Sequence, residues 1–266
     1  MHQFFPHTRI IIVMISFSFF SLNAQNQPGD DERSPDEIRS LSVCFAFFPD
    51  TPEWFFRNSE GEFEDLKSST SGFQVTNQIP NRSEITFYRD VIDDEGNRSK
   101  QPATSVNLPD GEGPARLLYY LDERGKPSRM VFGDSAETHP EFSVRVLNLL
   151  DEPIVVLLGQ LEGGSAERKM VPPKSGEVLS PVKVANELFQ FLYYRQGESG
   201  KPVKSSATNM IYRGPGQRYT AVVGYKPLYR YTEGREEDFL NRSITSMTTG
   251  KIIFFDMSTP EAVVAQ

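Results

Sequence analysis

Ile85-Thr86-Phe87-Tyr88 and, 104 residues further on from Ile85, Phe189-Gln190-Phe191 alternate apolar with more polar side chains. Successive residues of a strand point to opposite faces, so Ile85 with Phe87, and Phe189 with Phe191, each fall on one face. Tyr219, Ala221 and Val223 alternate with Thr220 and Val222 in the same way. The period is two, and the 3.6-residue period of a helix is nearly absent from the chain. The alternating stretches are short and end in turn chemistry: Asp94-Glu95-Gly96-Asn97, Pro109-Asp110-Gly111, Gly163-Gly164 and Gly214-Pro215-Gly216. An all-β chain of packed sheets is the expectation.

The matching of these stretches extends in both directions. Ser42-Val43 with Asp50 and Pro52 recurs as Ser143-Val144 with Asp151 and Pro153 at an offset of 101. Ala103-Thr104 recurs as Ala207-Thr208 at 104, and Arg116 as Arg218 at 102. Each half closes similarly, Arg129-Met130-Val131-Phe132 and Asp134 against Lys251-Ile252-Ile253-Phe254 and Asp256, now at 122. A shared order at near-constant spacing reads as an internal repeat. The larger last offset places an insertion in the second copy, which carries Tyr229, Tyr231 and Arg235. The expected organisation is two tandem β-sandwich domains, residues 41–136 and 143–258, joined by a linker at 137–142, with an inserted loop at 228–249 and a tail at 259–266. The strand count allows an immunoglobulin-like order. Ile154 to Leu158 is apolar on both faces, which predicts a strand covered on its second side by the other copy.

Before the repeats come a cation, Arg9, an apolar run from Ile10 to Leu22, and the small residue Ala24. That pattern predicts a signal peptide over residues 1–24 and export to a periplasmic or extracellular space. The apolar run is too short to span hydrocarbon, so no integral membrane anchor is expected after its removal. Residues 25–40 hold Asp30, Asp31, Glu32, Asp36 and Glu37, and read as a disordered acidic leader. Acids outnumber Lys and Arg by 36 to 28, a balance that repels phosphate backbones and excludes nucleic acid as a partner.

The residues offer no catalytic set. His139 stands in the expected linker, where a side chain is not held for catalysis. One cysteine, Cys44, cannot close an internal disulfide and sits among apolar residues. One histidine and one cysteine do not make a zinc site, and no glycine-rich loop for a phosphate or cofactor is present. Asp90, Asp93, Asp94 and Glu95 cluster, but as a hairpin tip rather than a calcium loop. Aromatic residues remain: 20 Phe, 10 Tyr and one Trp. Trp54, Tyr120, Tyr194, Tyr229 and Tyr231, with Arg235, are the candidate ligand-binding residues. The expected function is non-catalytic binding or assembly through sandwich faces or edges, with a protein or a glycan as partner. A carbohydrate-binding module with exposed tyrosines and a carboxylate-based hydrolase are the alternatives. Asn81, Asn97 and Asn241 each open an Asn-Arg-Ser sequon, a glycosylation candidate on a surface loop in a eukaryotic secretory host and without meaning in a bacterial periplasm.

Overall fold

Seventeen strands and no helix make up the described residues of the computed structural model, which are 37–48, 51–111, 113–160, 166–180, 188–196, 201–211, 217–231 and 242–256. The expected signal peptide, most of the leader, Arg235 and the tail lie outside them. The first half contains β1 (Ile38–Phe45), β2 (Phe55–Arg57), β3 (Phe63–Asp65), β4 (Ser68–Ser69), β5 (Asn77–Pro80), β6 (Glu84–Ile92), β7 (Arg98–Asn107), β8 (Ala115–Leu121) and β9 (Pro127–Gly133). The second contains β10 (Val144–Asn148), β11 (Ile154–Gln160), β12 (Ala166–Val171), β13 (Ser175–Leu179), β14 (Leu188–Gln196), β15 (Pro202–Ile211), β16 (Tyr219–Tyr231) and β17 (Arg242–Asp256).

The strands form four sheets. In the first half, β3-β2-β6-β7 is one sheet, and β1-β8-β9 is the other, with β4 and β5 both on the free side of β1. In the second half the orders are β12-β11-β14-β15 and β13-β10-β16-β17. β1 runs parallel to β8 and antiparallel to β5; β10 runs parallel to β16 and antiparallel to β13. The pairings of one half are therefore those of the other, apart from the two-residue β4. This order differs from the ABED and CFG sheets of an immunoglobulin constant domain, because the first strand pairs in parallel with the penultimate one. The immunoglobulin-like order allowed by strand count is corrected on this point: count carries no information on pairing.

Register repeats as well. Phe87 lies opposite Thr104, and Phe191 opposite Thr208. Val43 lies opposite Leu117, and Val144 opposite Tyr219. The closing segments do not share a register: Phe132 faces Arg116, whereas Phe254 faces Ala221.

Three apolar clusters hold the sheets. One lies between the two sheets of the first half and includes Leu41, Val43, Phe56, Phe87, Val106 and Leu117. A second lies between the sheets of the second half and includes Val144, Val146, Ile154, Val156, Phe189 and Phe191. The third joins the halves: Cys44, Ala46, Leu118 and Tyr120 from the β1 and β8 side pack on Leu147, Leu149 and Val222 from the β10 and β16 side. The result is a stack of four sheets in which the two middle ones are covered on both faces. Contact there is close. A Cβ on Gly224 would meet the Phe47 ring at 2.9 Å and Leu149 at 3.3 Å. Phe47 reaches that place with a φ of 68°, a conformation that non-glycine residues adopt at a cost of about 1–3 kcal/mol and that packing must hold.

The hairpin turns of the first half share one device. Asn58, Asp93 and Asp122 each accept backbone N–H bonds from the residues two and four positions on, and Gly61, Gly96 and Gly125 take positive φ at 82°, 85° and 72°. Asp93 thus spends its carboxylate on its own loop, and these bonds hold its pKa low.

Three segments differ from what their sequence led one to expect. β1 begins at Ile38, inside the expected leader, because Ile38–Leu41 pairs with Asn77–Pro80 and Arg39 is buried, donating to the carbonyls of Gly113 and Pro109. In the expected loop at 228–249, of which 232–241 lie outside the described residues, Leu228 to Tyr231 pairs with Arg242 to Ser246, extending the β16–β17 hairpin. Ile154 to Leu158 is not covered by the other half. Ile154, Val156 and Leu158 point into the core, but Val155 and Leu157 are half-exposed on the outer face, because the first half packs on the β10 sheet instead.

Candidate functional site

The segment expected to be a linker is a packed joint. His139 is fully buried, its Nδ1 3.0 Å from Asp134 and its Nε2 3.1 Å from the Tyr219 carbonyl. Asp134 ends the first half and is buried too. It accepts from Arg116 Nε at 2.9 Å and faces Arg145 at 3.5 Å and Arg218 at 3.7 Å. Arg218 also donates to the His139 carbonyl, and Arg116 to the Ser42 hydroxyl. One carboxylate therefore faces three guanidiniums where the halves meet.

The electrostatics follow from that ratio. Burial alone would raise the Asp134 pKa, but the bond from His139 and the charges of Arg116 and Arg218 outweigh it and hold it below the usual carboxylate value. Burial lowers the His139 pKa, and Arg145 and Arg218 add to this. Both ring nitrogens face acceptors, which favours the imidazolium; burial wins and the net direction is down. Burial also pulls the Arg145 pKa down, to about 10, still well above neutrality. In the described hydrogen bonds both His139 ring nitrogens are taken up by the Asp134 carboxylate and the Tyr219 carbonyl. Cys44 is buried, and desolvation pushes its thiol up to about 12.

Beside this cluster a cavity of about 450 Å³ opens between β9 and β13. Met130, Phe132, Leu147 and Val178 supply its apolar walls, and Arg145 and Lys174 its charges. Lys174, held at a φ of 51°, bonds the Leu149 carbonyl and pairs with Asp151.

A second surface is the outward face of the β12-β11-β14-β15 sheet. Met170, Val155, Tyr194 and Lys204 lie in one row across it, and Arg168, Leu157 and Leu192 in the next. Met170 is 64% exposed, and Val155, Leu157, Leu192 and Tyr194 are half-buried.

The expected binding residues do not gather. Tyr120 is 3% exposed in the cluster between the halves, so the reading of it as an exposed tyrosine is corrected: both faces of its sheet are covered. Trp54 is half-buried, stacked on Phe87 and edge-on to Phe45 and Tyr119, which makes it part of the first core. Tyr194 lies on the outer face just described. Tyr229 and Tyr231 lie in β16, opposite Ile244 and Arg242. Asn81 is buried and bonds Glu37, which corrects its placing on a surface loop.

Sequence reasoning passed over Asp134, Arg145 and Lys174, and set His139 aside. The available signal was Arg145 itself, a cation in the otherwise apolar Val144-Arg145-Val146-Leu147. A charge in a strand buried on both faces requires partners. Among the described residues no helix is long and apolar enough to cross a membrane. No protein-family model matches the chain, and no curated protein matches it in sequence.

Proposed function

We propose that this chain is an exported, non-catalytic binding or assembly protein. It comprises two tandem β-sandwich units that arose by duplication, and its protein partner docks on the outward face of the β12-β11-β14-β15 sheet. The matched pairings and registers of the halves support the duplication. One observation carries the docking reading. The chain covers one sheet face of each half with the other half, yet leaves this face apolar at its centre, with Arg168 and Lys204 at its sides. Such a patch with a charged rim has the composition of a protein interface. A glycan fits less well, because Val155, Leu157 and Leu192 offer no flat ring beside Tyr194.

The test is affinity capture from the exported fraction with the parent protein and a Leu157→Lys variant, read by native mass spectrometry. A partner held by the parent and lost by the variant supports the reading. Equal capture by both, or a parent that stays a clean monomer, overturns it.

A further inference from the structure

We propose that a hollow at the start of β6, on the outward face of the first half, binds a pyranose, with Glu84 and Arg82 bonding its vicinal hydroxyls and Tyr88 receiving its C–H face. The hollow follows from strand length. β2 ends at Arg57, so Glu84 and Ile85 have no strand beside them on that side. A space of about 100 Å³ opens there, with Arg57, Pro80, Arg82, Glu84, Thr86 and Tyr88 in its lining. Glu84, Thr86 and Tyr88 face outward, because Ile85 and Phe87 between them belong to the first core. Arg57, Arg82 and Glu84 are exposed and Tyr88 is half-buried. Among the described residues, neither the Arg82 guanidinium nor the Glu84 carboxylate has a hydrogen-bond or ion-pair partner. Arg57 is held in place. Its Nη1 donates to the Gly61 carbonyl at 2.7 Å, and its guanidinium lies 4.3 Å from the Phe63 ring, which meets Tyr88 edge-on at 4.9 Å. A guanidinium keeps further donors beyond the one so used.

The second half shows that the fold does not need these residues. β14 is the equivalent of β6: Phe191 faces Leu158 and Thr208, where Phe87 faces Phe56 and Thr104. Counted from those pairs, the second half has Leu188 for Glu84, Gln190 for Thr86, Leu192 for Tyr88 and Gly159 for Arg57. One scaffold thus carries an aliphatic face in one copy and a charged, aromatic hollow in the other. The mixture of groups sets the ligand class. A small anion would meet Glu84, and a small cation would meet Arg57 and Arg82. Neighbouring sugar hydroxyls both donate and accept, so they satisfy a carboxylate and a guanidinium together. The hollow has room for about three water molecules, hence for the hydroxyls of one ring edge, while the rest of the ring lies against Tyr88. The site is separate from the docking face of the second half and stands or falls without it.

The experiment titrates the purified protein with the methyl glycosides of glucose, galactose, mannose and N-acetylglucosamine, and with inorganic sulfate and cyclohexanol, followed by the amide chemical shifts of β6. At least one glycoside should shift β6 saturably, and sulfate and cyclohexanol should each bind at least about tenfold more weakly. Tyr88→Ala and Glu84→Ala should each weaken that glycoside by about tenfold or more. Should Tyr88→Ala fail to fold, Glu84→Ala decides, because Glu84 is exposed and unpaired among the described residues. Leu157→Lys should leave sugar binding unchanged, and Glu84→Ala should leave partner capture unchanged, so the two readings fail separately. No saturable shift with any of the four glycosides, sulfate or cyclohexanol binding as tightly, or full binding by Glu84→Ala overturns the proposal.

Discussion

β10 and β11 are neighbours in the chain and differ in what covers them. β11, Ile-Val-Val-Leu-Leu-Gly-Gln, is the more apolar, yet its outward residues Val155 and Leu157 are half-exposed. β10, Val-Arg-Val-Leu-Asn, carries a cation and an amide and is buried at every position. The difference teaches that burial on a second face depends on what the opposing surface can satisfy. Arg145 is tolerated under cover because Asp134, Thr138 and Phe132 meet it there. Asn148 is tolerated because the carbonyls of Glu152, Val171 and Pro172 accept its amide. β11 has no such surface over Val155 and Leu157 among the described residues, and it is on this face that the proposed partner would dock.

The comparison breaks first at the joint. Asp134→Asn leaves three guanidiniums facing no carboxylate and should cost about 3–5 kcal/mol in denaturant unfolding. Leu118→Ala, in the cluster between the halves, should cost about 2–5 kcal/mol by the same measurement. Gly224→Ala drives a methyl toward the Phe47 ring and should cost about 1–3 kcal/mol, unless Phe47 gives way.

Acid should act in the same direction. His139 has a folded pKa below its unfolded value of 6.5, so the unfolded chain takes up the proton first, and stability is lost as pH falls through and below 6.5. Asp134, also lowered, contributes stability that is present above its unfolded value of 3.8 and lost below it. Thermal midpoints should therefore fall from pH 7 to pH 5, and His139→Gln should flatten that slope. The smallest effect belongs to the outer face: Leu157→Lys should change stability by less than about 1 kcal/mol while removing partner binding.

Much of the fold was legible because strand period and turn chemistry are local. Ile85, Phe87, Phe189 and Phe191 all point into cores, as their alternation requires. Of the recurring Ser-Val and Ala-Thr pairs, Val43 and Val144, and Thr104 and Thr208, sit in matching registers, whereas Ala103 falls at the bulge of its ladder and Ala207 pairs with Leu192. What was not legible is non-local. Nothing in Ile154 to Leu158 says which sheet the other half will cover. Nothing in Glu137-Thr138-His139-Pro140 says that three arginines, at 116, 145 and 218, converge on the carboxylate just before it. The insertion was visible as a longer spacing, but its strand character was not, since Leu228-Tyr229-Arg230-Tyr231 gains its pairing only from Arg242 onward. The candidate site was the least legible part, because aromatic residues mark cores and surfaces alike, and Tyr120 and Trp54 went to cores.

The joined halves give the most direct measurement. Trp54, the sole tryptophan, reports on the first half by fluorescence, and amide exchange in β14 reports on the second. In Leu118→Ala, a substitution on the first-half side of the joint, both probes should lose the same free energy, since one body unfolds. A loss seen by Trp54 alone, with β14 protected as in the parent, would contradict the stacking of the four sheets into a single cooperative unit.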